Sequence, residues 1–522
     1  MLLIIIVAGL LTFYYLLGRP LNYWKNRGVK QGKPWILFGD SLGIILRKMS
    51  IAEAVTSVYD LIPPNTRYYG IYQFMKPKLV VRDPDLIRRI TVKDFDHFVD
   101  HVAMADPKAD PLFAKNLLGL KGEEWRKMRS TLTGSFTSSK MKIMFNLVTE
   151  AAEDFVNYFE KQQKNNKILD IEMKDAFTRF TIDVIASTSF GVKVDSLNEP
   201  DNEFFKMGKE ISQLSFKTVL KMLLFQASPK IYRFFNLSTF RKEVYEFFGN
   251  LINETITTRE AKGIHRPDML QILMEAKKGI DKEEPNTNMN TDIGFTATTE
   301  YIPKAEALKI TNEDIIAQAV IFFFAGFDSV SSLMTFTAYE LAVNQQVQDK
   351  LRQEILATNQ VTFEVIANMP YMDMVISEAL RKWPPFVVVG RECTKTYIIK
   401  PKLVSEAELI VPKGMAIQIP TYAIHHDPKY YPEPEQFIPE RFSAENRNKL
   451  TPYTFLGFGQ GPRSCIGSRF ALLELKIVFF CLLKRLRLVV NEKTQVPVKL
   501  KRGMGINIRP EDGLWLGLEK LN

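Results

Sequence analysis

The sequence predicts a mainly α-helical protein with a smaller β-rich part, set behind an N-terminal membrane-anchor helix. Three observations lead there. The chain opens on "MLLIIIVAGLLTFYYLL", apolar except for Thr12. Residues 311–344 form a segment apolar almost all round, with a capping signal at its start. Short β-branched runs broken by Lys, Pro and Gly gather around 66–81 and again between "PFVVVGREC" and Pro420. At 522 residues, 46% hydrophobic, the chain can bury a large core and has room for two subregions.

The opening run would cover roughly 25 Å as a helix, near the lower limit for a thin bilayer. A cleaved signal peptide would want a basic stretch ahead of the run and small residues after it, and neither is present. Directly after the run come Arg19, Lys25, Arg27, Lys30 and Lys33, with no acid before Asp40. By the positive-inside rule these hold the body of the protein on the cytosolic side. The expected division is therefore an anchor over 1–18, a basic linker over 19–40 and a soluble body over 41–522.

Along that body, two short strands precede a helix starting near Asp83-Pro84, and helical patterns dominate from Gly122 to Phe190. Residues 281–300 are polar and read as an exposed loop. Thr311 caps the long helix, with Glu313 and Asp314 in its first turn, where the helix dipole favours acids. A further helix, "YMDMVISEALRKW", ends at Pro384-Pro385, because proline cannot extend the hydrogen-bond ladder.

Composition excludes several classes. Three cysteines without CxxC spacing argue against a disulfide framework or zinc ribbon and for a reducing compartment. A net charge of +10 suits an anionic membrane surface or an acidic protein partner, and equally an ordinary solvated surface. No zinc-finger spacing or arginine-rich tail points to nucleic acid.

Chemistry concentrates in "FGQGPRSCIGSRF", residues 458–470. Cys465 stands at the mouth of an apolar helix, two residues from Arg463, where cations and unpaired helix N–H groups favour a thiolate. Gly461 and Gly467 are expected to let the backbone pass close to a large flat group. Cys481, inside "IVFFCLLKRL", reads instead as a packed core cysteine. Asp328 and Ser329 form a polar pair in the middle of the long apolar helix, a costly placement that needs satisfied partners.

The stretch Phe458-x-x-Gly461-x-Arg463-x-Cys465-x-Gly467 resembles the haem-binding loop of the cytochromes P-450, the haem-thiolate monooxygenases. Others support it in order along nearly the whole chain: Trp125-x-x-x-Arg129, "AGFDS" over 325–329, Glu378-x-x-Arg381 and "PERF" over 439–442. The resemblance implies the cytochrome P-450 fold and a haem b whose axial iron ligand is Cys465. It implies cofactor contacts from Phe458, Gly459 and Gly326, propionate partners in Trp125, Arg129, Arg391 and Arg463, and oxygen-side proton delivery by Asp328 and Ser329. Where Ser329 stands the family usually has threonine; the hydroxyl is kept and the methyl that restricts its rotamer is lost. Glu378, Arg381 and Arg441 would form a buried triad fixing the cysteine loop. An axial thiolate pushes electron density onto iron and favours O–O cleavage.

No flavin or nicotinamide fingerprint is convincing, so the resemblance implies an external NADPH-dependent cytochrome P-450 reductase, with cytochrome b5 as a second donor, at the endoplasmic reticulum membrane. Arg126 and Lys127 are candidate docking cations. "DHFVDHVAMADPKADPLFAKNLLGLKGEEWRKMRSTLTGSF" and "FFFAGFDSVSS" are most similar to insect microsomal enzymes, which implies oxidation of lipophilic plant toxins or insecticides. Oxidation of an endogenous lipid or hormone, and a non-catalytic haem sensor, are the alternatives. Pocket residues are expected in 97–116, 211–240, 323–329, 387–389 and near Ile506, and 220–240 is also a candidate membrane contact. The proline-rich hinge common after the anchor is thinned to "KQGKPWILFG".

Overall fold

The computed structural model describes Tyr15 and residues 18–521, apart from 104, 164–166, 213–215, 236, 239–240, 267, 280–309, 359, 405 and 506. The anchor run, the 281–300 loop and Ile506 thus fall almost wholly outside the described residues.

A four-stranded sheet is built from β1 (Tyr68–Gln73), β2 (Lys76–Val81), β3 (Val389–Glu392) and β4 (Ala416–Ile419), in the order β1-β2-β4-β3. β2 and β4 run parallel and the other pairs antiparallel. Asp83 caps the helix Pro84–Arg88, as its sequence predicts, by accepting from the Leu86 N–H.

The larger part is helical. Its main elements are α1 (Gly122–Thr133), α2 (Ser138–Gln162), α3 (Met173–Ile185), α4 (Lys242–Lys262), α5 (Asn312–Val343), α6 (Pro370–Lys382) and α7 (Ser468–Arg485). α5 begins with a full capping box, Thr311 and Asp314 each satisfying the other's backbone N–H. It is long and apolar enough to cross a membrane, yet most of it is buried, so here it is the core helix. α6 carries Pro370 in its first turn and ends at Trp383, just before the Pro384-Pro385 break.

α3 packs along α5, and Phe323 sits among Phe190, Phe204, Phe248 and Phe327 with ring centroids 5.0–6.2 Å apart. That cluster corrects the expectation that all of 323–329 lines a pocket. Phe323, Phe324 and Phe327 are buried in helix packing, whereas Phe322, Ala325, Gly326 and Ser329 keep accessible surface along one ridge.

Candidate functional site

The cysteine loop is built from 458–467. The Cys465 N–H donates to the Phe458 carbonyl at 2.8 Å, and Gly459 and Gly461 hold φ of +72°. A Cβ on Gly461 would lie 1.8 Å from the Thr91 carbonyl oxygen. The close approach that demands glycine there is thus to the protein's own backbone, and Gly467 has only Phe136 within 4 Å of its Cβ position. Cys465 has accessible surface although protein surrounds it, and a cavity of about 370 Å³ lined by Phe458, Gly459, Gly461, Ser464 and Cys465 reaches it. Burial pushes the Cys465 thiol up, while the Gly467 N–H and the Arg129 charge pull it down.

The triad residues come together. Glu378 accepts from Arg381 Nε and Nη2 at 2.9 and 2.8 Å, from Arg441 Nε at 3.2 Å and from the Ile438 N–H at 3.0 Å. Glu378 and Arg381 are fully buried, and Arg381 also donates to the carbonyls of His425 and Gln436. His425 is the link that sequence reasoning missed. Its Nδ1 lies 2.8 Å from the Arg381 carbonyl, and its Nε2 accepts the Leu456 N–H at 2.9 Å, two residues before Phe458. Burial pulls His425 down to about 3, with the Arg381 charge adding to the effect. The ring is therefore neutral, with its proton on Nδ1, and spans the triad and the cysteine loop.

The arginines separate into two kinds. Arg463 donates to the carbonyls of Val99, Leu117 and Leu120 at 2.8, 3.1 and 2.9 Å, and its guanidinium lies 3.9 Å from the Trp125 ring centroid. It splints two loops, and the charge bearing on the Cys465 sulfur is that of Arg129. Arg129 Nε and Arg391 Nε and Nη2 are buried without a hydrogen-bond partner among the described residues. Burial draws both guanidiniums down to about 10, and no carboxylate among the described residues offsets it. Two buried cations with no carboxylate partner among the described residues fit an anionic ligand, and guanidinium forks suit carboxylates. Trp125 and Arg129 sit one turn apart on α1, both buried. His101, not singled out in the sequence, is half-buried with its Nδ1 3.3 Å from Arg391 Nη1. Burial, followed by the Arg391 charge, holds it well below the usual histidine range.

On α5, Asp328 and Ser329 point different ways. Ser329 lies on the accessible ridge and donates to the Ala325 carbonyl at 2.6 Å. Asp328 is buried against α3 and the 507–509 segment, accepting from Lys174 Nζ at 3.1 Å, Arg509 Nη2 at 2.8 Å and Asn507 Nδ2 at 2.7 Å. Burial alone would raise its pKa, but Lys174 and Arg509 hold the carboxyl below the ordinary range. The partners that make this buried acid tolerable lie more than 150 residues away in sequence. Gly326 admits α3: a Cβ there would meet Ile185 Cδ1 at 2.6 Å. Its missing side chain serves helix packing, and its remaining surface lies on the accessible ridge beside Ser329. Arg126 is engaged by Asp96 and Glu123 at 2.6 and 3.2 Å, which weakens its candidacy as a docking cation.

Over α5 lies a roof made from the described residues of 100–118 and 216–245. Gln318 on α5 donates to the Lys115 carbonyl at 2.8 Å. Asp110, wholly buried, accepts from Tyr232, Ser238 and Tyr245 at 3.1, 2.6 and 2.8 Å, and buried Asp106 pairs with Arg233 at 2.6 Å. In 220–235, Phe225 and Tyr232 pack inward while Leu220, Ile231, Phe234 and Phe235 are exposed.

Comparison with known proteins identifies the family. Residues 30–516 match the family model described as cytochrome P450. The chain is 42% identical to cytochrome P450 9e2 of Blattella germanica, over 98% of this chain and 97% of that one. It is 37% identical to probable cytochrome P450 9f2 of Drosophila melanogaster, with the same two coverages. To probable cytochrome P450 6a13 of the same fly it is 36% identical, over 100% of this chain and 99% of that one.

Proposed function

The chain belongs to the cytochrome P450 family and is a haem-dependent monooxygenase; from that premise we propose that Cys465 is the axial thiolate of its haem and that the substrate is a lipophilic xenobiotic. The single observation that carries the site assignment is the pair of buried guanidiniums, Arg129 and Arg391, that find no carboxylate among the described residues. Arg129 and Arg391 would hold the two propionates, with Trp125 and Arg463 bracing the helix and loops that carry them. When bound, the haem supplies dioxygen activation under the electronic push of the thiolate.

The remaining work falls to this chain's own groups. Ser329 presents a hydroxyl on the accessible ridge of α5 and is assigned the proton donation nearest the reacting oxygen. Asp328 stands behind it, connected by Lys174 and Arg509 towards the outer surface; both are partly exposed. Helix packing by Phe323, Phe324 and Phe327 excludes water elsewhere. Electrons come from an NADPH-dependent reductase, with cytochrome b5 as a second donor, and the apolar opening run anchors the enzyme in the endoplasmic reticulum membrane with residues 41–522 in the cytosol. The insect relatives support the xenobiotic reading; an endogenous lipid or hormone is the alternative substrate.

The test is reconstitution of the full chain with reductase and NADPH against a panel of lipophilic toxins. Product formation that depends on NADPH and dioxygen supports the reading, and haem binding without turnover of any substrate favours a sensor. Ser329→Ala should raise peroxide released per NADPH consumed. Unchanged coupling would remove Ser329 from proton delivery.

A further inference from the structure

The segment Val99–His101 is tied to all three elements that carry the site's arginines. The Val99 carbonyl accepts from Arg463 Nε, on the cysteine loop, at 2.8 Å. The Asp100 carboxylate accepts the Gly122 N–H at 2.8 Å, at the start of α1, and lies 3.8 Å from Arg463 Nη2. The Asp100 carbonyl accepts the Glu392 N–H at 2.8 Å, an antiparallel bridge to the end of β3. His101 is therefore fixed at the junction of the loop, α1 and β3, where the charges of Arg391, Arg463 and Arg129 all bear on its ring.

The proton on that ring can be placed. A carbonyl only accepts, so the 2.9 Å contact between His101 Nδ1 and the Gly390 carbonyl puts the proton on Nδ1. Arg391 Nη1 donates to the same carbonyl at 2.9 Å, and the 3.3 Å between Nη1 and Nδ1 separates two donors that share one acceptor. Nδ1 is thus committed. Nε2 has no hydrogen-bond partner among the described residues. In the neutral ring Nε2 is a lone pair, which repels a carboxylate; it can hold one only after gaining a second proton.

Burial first, and then the charges of Arg391, Arg463 and Arg129, oppose that second proton. The acids on the neighbouring elements are already engaged, Asp100 by Gly122 and Arg463 and Glu392 by Lys121 at 3.0 Å. Carboxylates seated on Arg129 and Arg391 reverse the balance. They cancel the charges that oppose the ring and supply the acceptor that Nε2 lacks.

We propose that His101 is a cofactor-positioning residue that joins Arg391 in gripping a haem propionate and takes up one proton as haem binds. The inference rests on the assignment of Arg129 and Arg391 to the propionates, and adds a proton linkage to it. The proton comes from solvent, Nε2 becomes an N–H donor, and no electron moves. A histidine raised by a partner gives its full contribution at low pH and loses it as pH rises through the raised value. Haem should therefore be released more readily as the solution becomes alkaline.

The test is haem transfer from the loaded full-length protein to apomyoglobin between about pH 6 and pH 9, around the ordinary histidine range. The infrared carboxylate band of haem with isotope-labelled propionates is the second readout. Wild-type release should quicken about tenfold across that range, the equivalent of one pH unit of linkage. His101→Gln cannot take the second proton and should be fast and flat; His101→Arg, permanently charged, should be slow and flat. The propionate band should shift with the same midpoint in the wild type and show no such shift in His101→Gln. A flat wild-type profile with faster release from His101→Gln makes Nε2 a neutral donor and overturns the proton linkage. A profile and band shift that survive His101→Gln overturn any role for His101 and leave the two arginines standing. Protein that binds no haem overturns the assignment beneath it.

Discussion

The loop that presents Cys465 and the roof over α5 are held in opposite ways. The loop is fixed by a densely hydrogen-bonded network: Glu378, Arg381, Arg441 and His425 share hydrogen bonds from α6 to Leu456, and the central pair is wholly buried. Among the described residues the roof is tied by three hydroxyls on Asp110 and one guanidinium on Asp106, from a helical segment whose outer face carries exposed Phe234 and Phe235. Removing a member of a buried ion network strands charge in a low-dielectric interior, whereas exchanging the Asp110 carboxylate for a neutral amide among hydroxyls strands none and costs far less. On the proposed function, the ligand side is built not to move and the substrate side to be opened at modest cost.

That contrast can be broken most severely at Glu378. Glu378→Ala leaves Arg381 buried without its carboxylate and should cost about 3–5 kcal/mol. Little haem-loaded protein should be recovered, as judged by the ratio of Soret to protein absorbance; a normal ratio would show that the network is dispensable. Next comes Arg391→Ala, which would remove the proposed charge-assisted propionate contact, worth about 1.5–3 kcal/mol. Haem transfer to apomyoglobin should accelerate while the chain stays folded by circular dichroism. Arg463→Ala should instead lower the melting temperature, because Arg463 splints the Val99, Leu117 and Leu120 carbonyls.

Smaller again is a pH effect. His425 falls from 6.5 to about 3 on burial, so the unfolded chain binds a proton the folded one excludes between those values. Its contribution is complete above pH 6.5 and declines as pH falls towards 3, reaching a loss of about 2 kcal/mol at pH 5. Denaturant unfolding of His425→Gln should show a shallower acid limb than the wild type. An unchanged limb would mean that the ring is not buried neutral. Smallest is Asp110→Asn, which keeps one acceptor oxygen where the carboxylate served three hydroxyls, at about 1 kcal/mol. Binding and release of a lipophilic ligand, monitored by its spectral shift, should quicken while the carbon monoxide spectrum is unchanged. Altered iron spectra with unchanged ligand kinetics would place Asp110 on the wrong side of the comparison.

The same contrast explains what can be read from the chain. Glu378 and Arg381 share a helix face and stand in a recognisable pattern, and the cysteine loop is local, so both are legible. α5 is legible because an all-round apolar run with a capping box has few alternatives. His425 is not, since a histidine in "AIHHDP" becomes a bridge only when α6 and Leu456 flank it. Nor is the direction of Arg463: spacing places it beside Cys465, but the carbonyls that capture it come from residues more than 340 positions away. The role of Gly326 also depends on another element, because what fills its missing side chain is Ile185. The Asp110 knot joins residues more than 120 positions apart with no periodic signature. Local chemistry announces itself in sequence; tertiary partners of single polar side chains do not.

The most direct test of the account is the carbon monoxide difference spectrum of the reduced full-length protein, taken beside Cys465→Ala. A strongly red-shifted Soret band, lost in the variant, is predicted and would tie the thiolate to Cys465. A band at the unshifted position of histidine-ligated haem, from undamaged wild-type protein, would contradict it and require another axial ligand.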